Sequence, residues 1–173
     1  MRFLVVIPPK DFRDESLSLM TLFLKKWGID YDVSSYTSSD CIGMHGAVSR
    51  PKVHAARVST QDYGGVAVID GSGIDSYKLF DYRPLLDLMI KFNDSGKYVI
   101  GIGNAVKVQA RANIINGRPA AILPSDQETK RLVALFHGVP SDKPFVIADN
   151  LITIRDSAAM EEAMPEVLDR MRV

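Results

Sequence analysis

The residues with the most chemical meaning in this chain lie between Tyr98 and Ala105, YVIGIGNA. An apolar run, Tyr98 to Ile102, meets Gly103-Asn104 and then a helical stretch. That order reads as a nucleophile elbow, the sharp strand-to-helix turn that lifts one side chain into a pocket. The apex here is Gly103, which has nothing to lift. Glycine cannot form a covalent intermediate or be activated by a base. It does adopt positive φ at almost no steric cost. The turn is therefore expected to form well and to lack a nucleophile. Asn104 can cap the following helix or present its amide to the pocket. The N–H groups there, with those of Gly71 and Ser72, are expected to face a small anionic ligand as the remnant of an oxyanion hole.

Other groups surround this scaffold. Asp70 ends a second apolar run, Gly65 to Ile69, and could act as a general base or cap a turn. Asp75 and Glu15 are the other acids within reach of such a pocket. Ser16 has no histidine near it in sequence, so it lacks the base that a serine nucleophile requires. The histidines are His45, His54 and His137. Cys41 and His45 stand four apart, but in a segment that reads as loop and strand. No second close pair accompanies them, so no metal site is expected. No cofactor motif stands out.

The elements that must position these groups alternate. Phe3 to Ile7 reads as a buried strand, followed by an acidic stretch, Asp11 to Glu15, that opens a helix ending at Gly28. Ile29 to Val33 is a strand and Ser34 to Asp40 a polar loop. Residues 42 to 58 read as an edge hairpin or short strands off the main sheet. Gly65 to Ile69 is a strand followed by a flexible turn, Asp70 to Gly73. Leu85 to Phe92 is helical, and the elbow strand and its helix follow. Ala120 to Leu123 is a short strand. Asp126 to Phe136 is a helix with Ser125 as N-cap. Phe145 to Ala148 and Leu151 to Ile154 form a hairpin. Ala158 to Met171 is a last helix containing Pro165. Such alternation implies an α/β three-layer sandwich around a mostly parallel sheet, with the pocket at the carboxyl ends of the central strands. The absence of a linker or repeat implies one domain over residues 1–173.

Composition narrows the function. Lys+Arg and Asp+Glu both number 21 in 173 residues. No basic excess or cluster points to nucleic acid or an anionic membrane. The lone Cys41 excludes an intrachain disulfide, and no apolar run is long enough for a membrane span. A cytoplasmic protein is expected.

The order of these pieces resembles the ThiJ/PfpI superfamily of cysteine peptidase-like and glyoxalase-like proteins. The resemblance rests on Asp11-Phe12, Asp14, Gly28, Gly43-Met44-His45-Gly46, AVIDGSG at 67–73 and Ser95-Gly96-Lys97. It continues through the elbow, Asn116-Gly117-Arg118, Leu123-Pro124, Asp149 and Arg155. It implies a flavodoxin-like sheet and self-association into a homodimer or larger assembly. It also implies that this chain has lost the family's chemistry. The nucleophilic cysteine matches Gly103, the residue after it matches Asn104, and the first-helix glutamate matches Ser16, or Glu15 with a one-residue gap. A further acidic residue of the oligomeric branch matches Ser76. The expectation is a non-catalytic binding or scaffold protein. The alternative is a hydrolase or lyase with altered chemistry that uses Asp70, Glu15 and Asn104. Kinship to class I glutamine amidotransferases fails, because no histidine follows His137 to serve their mechanism. The aromatic segment Tyr77 to Tyr82 and the 43–58 hairpin are the expected subunit contacts.

Overall fold

The computed structural model describes residues 1–172. In chain order the elements are β1 (Arg2–Val6), β2 (Lys10–Phe12), α1 (Asp14–Lys26), β3 (Asp30–Ser35), β4 (Cys41–Gly43), β5 (Val48–Ser49) and β6 (Val53–His54). There follow β7 (Gly65–Val68), α2 (Ser72–Ser76), α3 (Arg83–Asp94), β8 (Tyr98–Ile102) and α4 (Val106–Arg111). Last come β9 (Pro119–Ala121), α5 (Gln127–Leu135), β10 (Val139–Ser141), β11 (Phe145–Ala148), β12 (Leu151–Ile154) and α6 (Met160–Met171).

A seven-stranded sheet runs β11-β12-β8-β7-β1-β3-β6. Every neighbouring pair is parallel except β11 with β12. The central strands are apolar throughout because both of their faces are covered. Along β1 and just past it, Phe3, Val5 and Ile7 point into a core built with Met20 and Leu24 of α1 and the apolar stripe of α6. Leu4 and Val6 point the other way, against Leu85, Met89 and Phe92 of α3 and Val106 of α4. The result is the three-layer α/β/α arrangement that the alternation of elements implies, with a mostly parallel flavodoxin-like sheet.

Several local expectations need correction. Ser34 and Ser35 are not loop but the buried end of β3; their hydroxyls donate to Val53 O (2.9 Å) and Ile7 O (2.7 Å), which satisfies them in the core. The 42–58 segment divides. β4 and β5 form a small sheet with β2 away from the main one, while β6 joins the main sheet as an edge strand. The strand expected near Ala120 pairs instead with β10, outside the main sheet. β10 itself reads Val-Pro-Ser and has no apolar pattern to reveal it. Asp126, not Ser125, caps α5, accepting from the Thr129 N–H at 3.1 Å and the Thr129 hydroxyl at 2.6 Å. The turn after β7 is shorter than expected, because α2 begins at Ser72. Pro165 lies inside α6 without ending it.

Candidate functional site

Three adjacent strands carry the site. Their register pairs Val68 with Gly101 and Ile154 with Ile102. Continuing past the strand ends, this register sets Asp70, Gly103 and Arg155 side by side across the carboxyl edge of β7, β8 and β12. These residues line one open cleft of about 510 Å³, together with Arg13, Asp75, Asn104, Asp126 and Asp156. Neither a cysteine nor a histidine lines it.

Gly103 has φ +54°, the left-handed region that favours glycine, and opens a short 3₁₀ turn, Gly103–Ala105, leading into α4. The space above it is taken. A Cβ placed on residue 103 would lie 2.7 Å from Asp70 Oδ2 and 3.1 Å from Asp70 Cβ, closer than side chains pack. The Asp70 carboxyl thus stands where an elbow side chain would begin. Gly103 is needed both for its backbone angle and for its lack of a side chain.

Asp70 is only 4% exposed. Arg13 Nε donates to its Oδ2 at 3.0 Å, and the Arg13 N–H donates to the Asp70 carbonyl at 2.8 Å, so the start of α1 is tied to the end of β7 twice. The other oxygen, Oδ1, has no partner. Burial raises the carboxyl's pKa, against the opposing pull of the Ser16 hydroxyl and the Arg13 charge. Ser16 is fully buried beside Asp70, and its hydroxyl bears on that carboxyl without reaching good hydrogen-bond geometry. Glu15 is exposed and bonds His45 Nδ1 at 3.0 Å, away from the cleft. Ser16, rather than Glu15, is therefore the first-helix residue beside Asp70.

Asn104 does not cap α4. Its Nδ2 donates to Gly71 O at 2.8 Å, and its Oδ1 accepts from Gly71 N at 3.2 Å. This paired contact clamps the elbow to the loop after β7. It also occupies the Gly71 N–H that the sequence assigned to an anion. Gly71 itself is buried at φ +138°, with Asp11 O 2.3 Å from where a Cβ would sit. Ser72 and Ser76 are exposed and lie outside the cleft lining.

Sequence reasoning missed three groups. Asn104 Nδ2 also reaches Asp75 Oδ2 at 3.2 Å, and Asp75 pairs with Lys107. Lys107 is 1% exposed; its Nζ lies 3.2 Å from Glu128 Oε1 and 4.7 Å from the centre of the Phe80 ring. A lysine inside a helical stretch gives no sign of burial, because only the partners from α2 and α5 make it tolerable. Arg13 and Arg155 are the cleft's cations, and Arg13 stands out in sequence only as a basic residue among acids. Arg155 Nε is buried without a hydrogen bond; its nearest acid, Asp156 Oδ2, is 3.9 Å away. Cys41 is buried outside the cleft, and burial pushes its thiol up, away from reactivity. Among the described residues no cluster of His, Cys, Asp and Glu could hold a metal ion, and no helix is long and apolar enough to cross a membrane.

The DJ-1/PfpI family matches residues 1–170, and the chain belongs to that family. An uncharacterised protein of Methanocaldococcus jannaschii is 31% identical over 157 residues, covering 89% of this chain and 74% of that one. Among solved structures, a ThiJ/PfpI domain protein of Brachyspira murdochii superposes with a TM-score of 0.91 at 21% identity, covering 99% of this chain and 96% of the other. Drosophila melanogaster DJ-1beta gives 0.85 at 20% identity, covering 98% and 89%. These structural likenesses show the fold.

Proposed function

We propose that this chain is a DJ-1/PfpI protein that does not run the family's cysteine chemistry, and that it serves as a binding module whose elbow cleft holds a small anionic ligand. The observation that carries this reading is the fit of Asp70 against Gly103, which fills the place of an elbow side chain with a carboxyl. The support for an anion is the pair of arginines. Arg155 makes only a 3.4 Å contact from Nη1 to Asp142 O and lies 3.9 Å from Asp156, and the Arg13 guanidinium commits only its Nε to Asp70. The cleft's other acids are engaged: Asp75 with Lys107, Asp126 with Thr129, and Asp156 with the Ala159 N–H at 2.9 Å. A hydrolase or lyase built on Asp70, Asn104 and Glu15 has less support, since Glu15 faces His45 and Asn104 is spent on Gly71.

Two measurements test this. Peptidase, deglycase and glyoxalase substrates are expected to give no turnover; a genuine activity abolished by a thiol-alkylating reagent and protected by substrate would refute the reading. Acetate or sulfate in the millimolar range is expected to raise the melting temperature of the wild type and not of Arg155→Met. Equal shifts in both, or none, would remove the anion site. The same reading has the chain self-associate through Tyr77 and Tyr82, both exposed, or through the β4–β5 hairpin, where Val48 is 65% exposed. Light scattering at micromolar concentration is expected to give a mass above 19.1 kDa, and a monomer mass would end that part.

A further inference from the structure

A second hollow opens at the carboxyl edge of the sheet, on the far side of β7 from the elbow. It has about 370 Å³ and is lined by Pro9, Tyr36, Thr37, Tyr77, Leu79 and Tyr82. It shares no residue with the elbow cleft. Pro9 follows β1, and Tyr36 and Thr37 follow β3, so it lies where open parallel sheets bind their ligands. Its size falls within the roughly 300–1,000 Å³ of small-molecule sites. The walls are rings. Tyr36 meets Tyr82 at 82° between planes, with centroids 4.9 Å apart, and His54 stands at 87° to Tyr36, 6.1 Å away. Such edge-to-face contacts hold Tyr36 in place. Lys78, a non-glycine residue at the strained angle φ +49°, turns the chain between Tyr77 and Leu79, and both reach the hollow. Tyr77 and Tyr82 are 47% and 40% exposed, so the rings are open to a ligand.

All of the lining side chains are uncharged. Burial raises the pKa of the Tyr36 phenol, which keeps that wall neutral. An anion finds no cation here, and a metal ion finds no carboxylate. What the corner does offer is the negative potential of ring faces beside apolar carbon. We propose that this hollow binds a small organic cation of the methylated-ammonium class, its methyl groups seated between the Tyr36 and Tyr82 rings and against Pro9 and Leu79. A quaternary head carries its charge under methyl groups and needs no hydrogen bond, whereas a bare ammonium would leave its donors unanswered. The site does not depend on the anion reading of the elbow cleft. A ligand over Tyr77 and Tyr82 leaves self-association to the β4–β5 hairpin.

The test is titration of the intact chain with choline and with dimethylbutanol, its uncharged isostere with carbon in place of nitrogen, followed by NMR of the tyrosine rings. Choline is expected to shift the Tyr36 and Tyr82 resonances and to bind about fivefold more tightly than dimethylbutanol, the ratio of one cation–π contact at a half-exposed wall. Tyr82→Phe keeps the ring and is expected to keep that preference. Tyr82→Leu keeps the apolar bulk and is expected to abolish it. Should Tyr82→Leu not fold, the wild-type ratio decides together with Tyr77→Leu, which is expected to reduce it. Equal affinity for the two probes, or tighter binding of dimethylbutanol, would make the hollow an apolar slot and overturn the cation. A preference that survives Tyr82→Leu, or no shift of these rings with either probe, would overturn the site.

Discussion

Two buried aspartates of this molecule make a controlled contrast. Asp32 in β3 is 7% exposed, and Asp70 just past β7 is 4% exposed. Asp32 is fully provided for. Arg2 Nη1 donates to it at 2.9 Å, the Tyr63 hydroxyl at 2.8 Å, and Lys52 Nζ lies 3.0 Å away. Burial opposes its charge, but the bonds from Lys52, Tyr63 and Arg2 outweigh that, and its pKa is lowered. Asp70 has only Arg13 and the Ser16 hydroxyl set against its deeper burial, and burial wins there, so its pKa is raised. The first carboxylate is held where every lone pair it needs is answered, and it braces strand, edge and loop. The second is packed against a glycine elbow at the edge of a cleft, with a single cation beside it. The contrast shows that burial alone does not set the direction of a carboxylate's pKa; the bonds it finds do.

Four experiments would break or sharpen this contrast. The largest effect is expected from Asp32→Ala, which strands the buried Tyr63 hydroxyl and frees two cations; a loss of about 3 kcal/mol in urea unfolding is expected, discounted for the exposure of Arg2 and Lys52. A loss below about 1 kcal/mol would remove the structural role given to Asp32.

Next is Gly103→Ala, which meets both the positive φ and the Asp70 carboxyl, at about 2 kcal/mol. Asp70→Ala should relieve the steric half. In a double-mutant cycle the pair is expected to lose about 1 kcal/mol less than the sum of the single variants. Strict additivity would show that Asp70 does not fill the elbow.

Lys107→Met should cost under about 1 kcal/mol, because Asp75 and Glu128 are solvated enough to stand alone and the thioether replaces the buried stem. A loss above about 3 kcal/mol would instead make Lys107 a keystone of the cleft.

The pH test reads a sign rather than a size. Asp32 has a folded pKa below its ordinary 3.8, so its contribution is present above that value and is lost as pH falls through the lowered one. Asp70 runs the other way: its folded pKa lies above 3.8, the folded state binds the extra proton, and stability is lost as pH rises from 3.8 through the raised value. Relative to wild type, Asp32→Asn should therefore worsen as pH rises from acid, while Asp70→Asn should improve. The same sign for both, in urea midpoints across the acid range, would erase the distinction.

The layers of the fold were legible because they follow from short-range pattern. Apolar runs closed by Gly, Pro and Asp mark β1, β7, β8 and β12, and helical spacing marks α1 and α3; residue type and period alone specify which faces must be buried. The elbow was legible for the same reason, since an apolar strand ending at Gly-Asn leaves few backbone options, and Gly103 does take positive φ. Elements whose existence depends on distant partners were not. β6 and β10 are two or three residues each and are strands only because β3 and β9 accept them.

The site divides along the same line. Sequence alone determined what is missing at position 103, because a glycine has no side chain in any fold. What replaces it was decided by the tertiary structure. Asp70 lies 33 residues away and reaches Gly103 only because β7 and β8 are neighbours in register. Asn104 was a cap in sequence and a clamp in space, since Gly71 offered both a donor and an acceptor at the right distance. Arg155 comes beside them only when β12 pairs with β8. A chain's local pattern specifies which groups it can bury, but the charge balance of a cleft is a sum over strand ends that only pairing brings together.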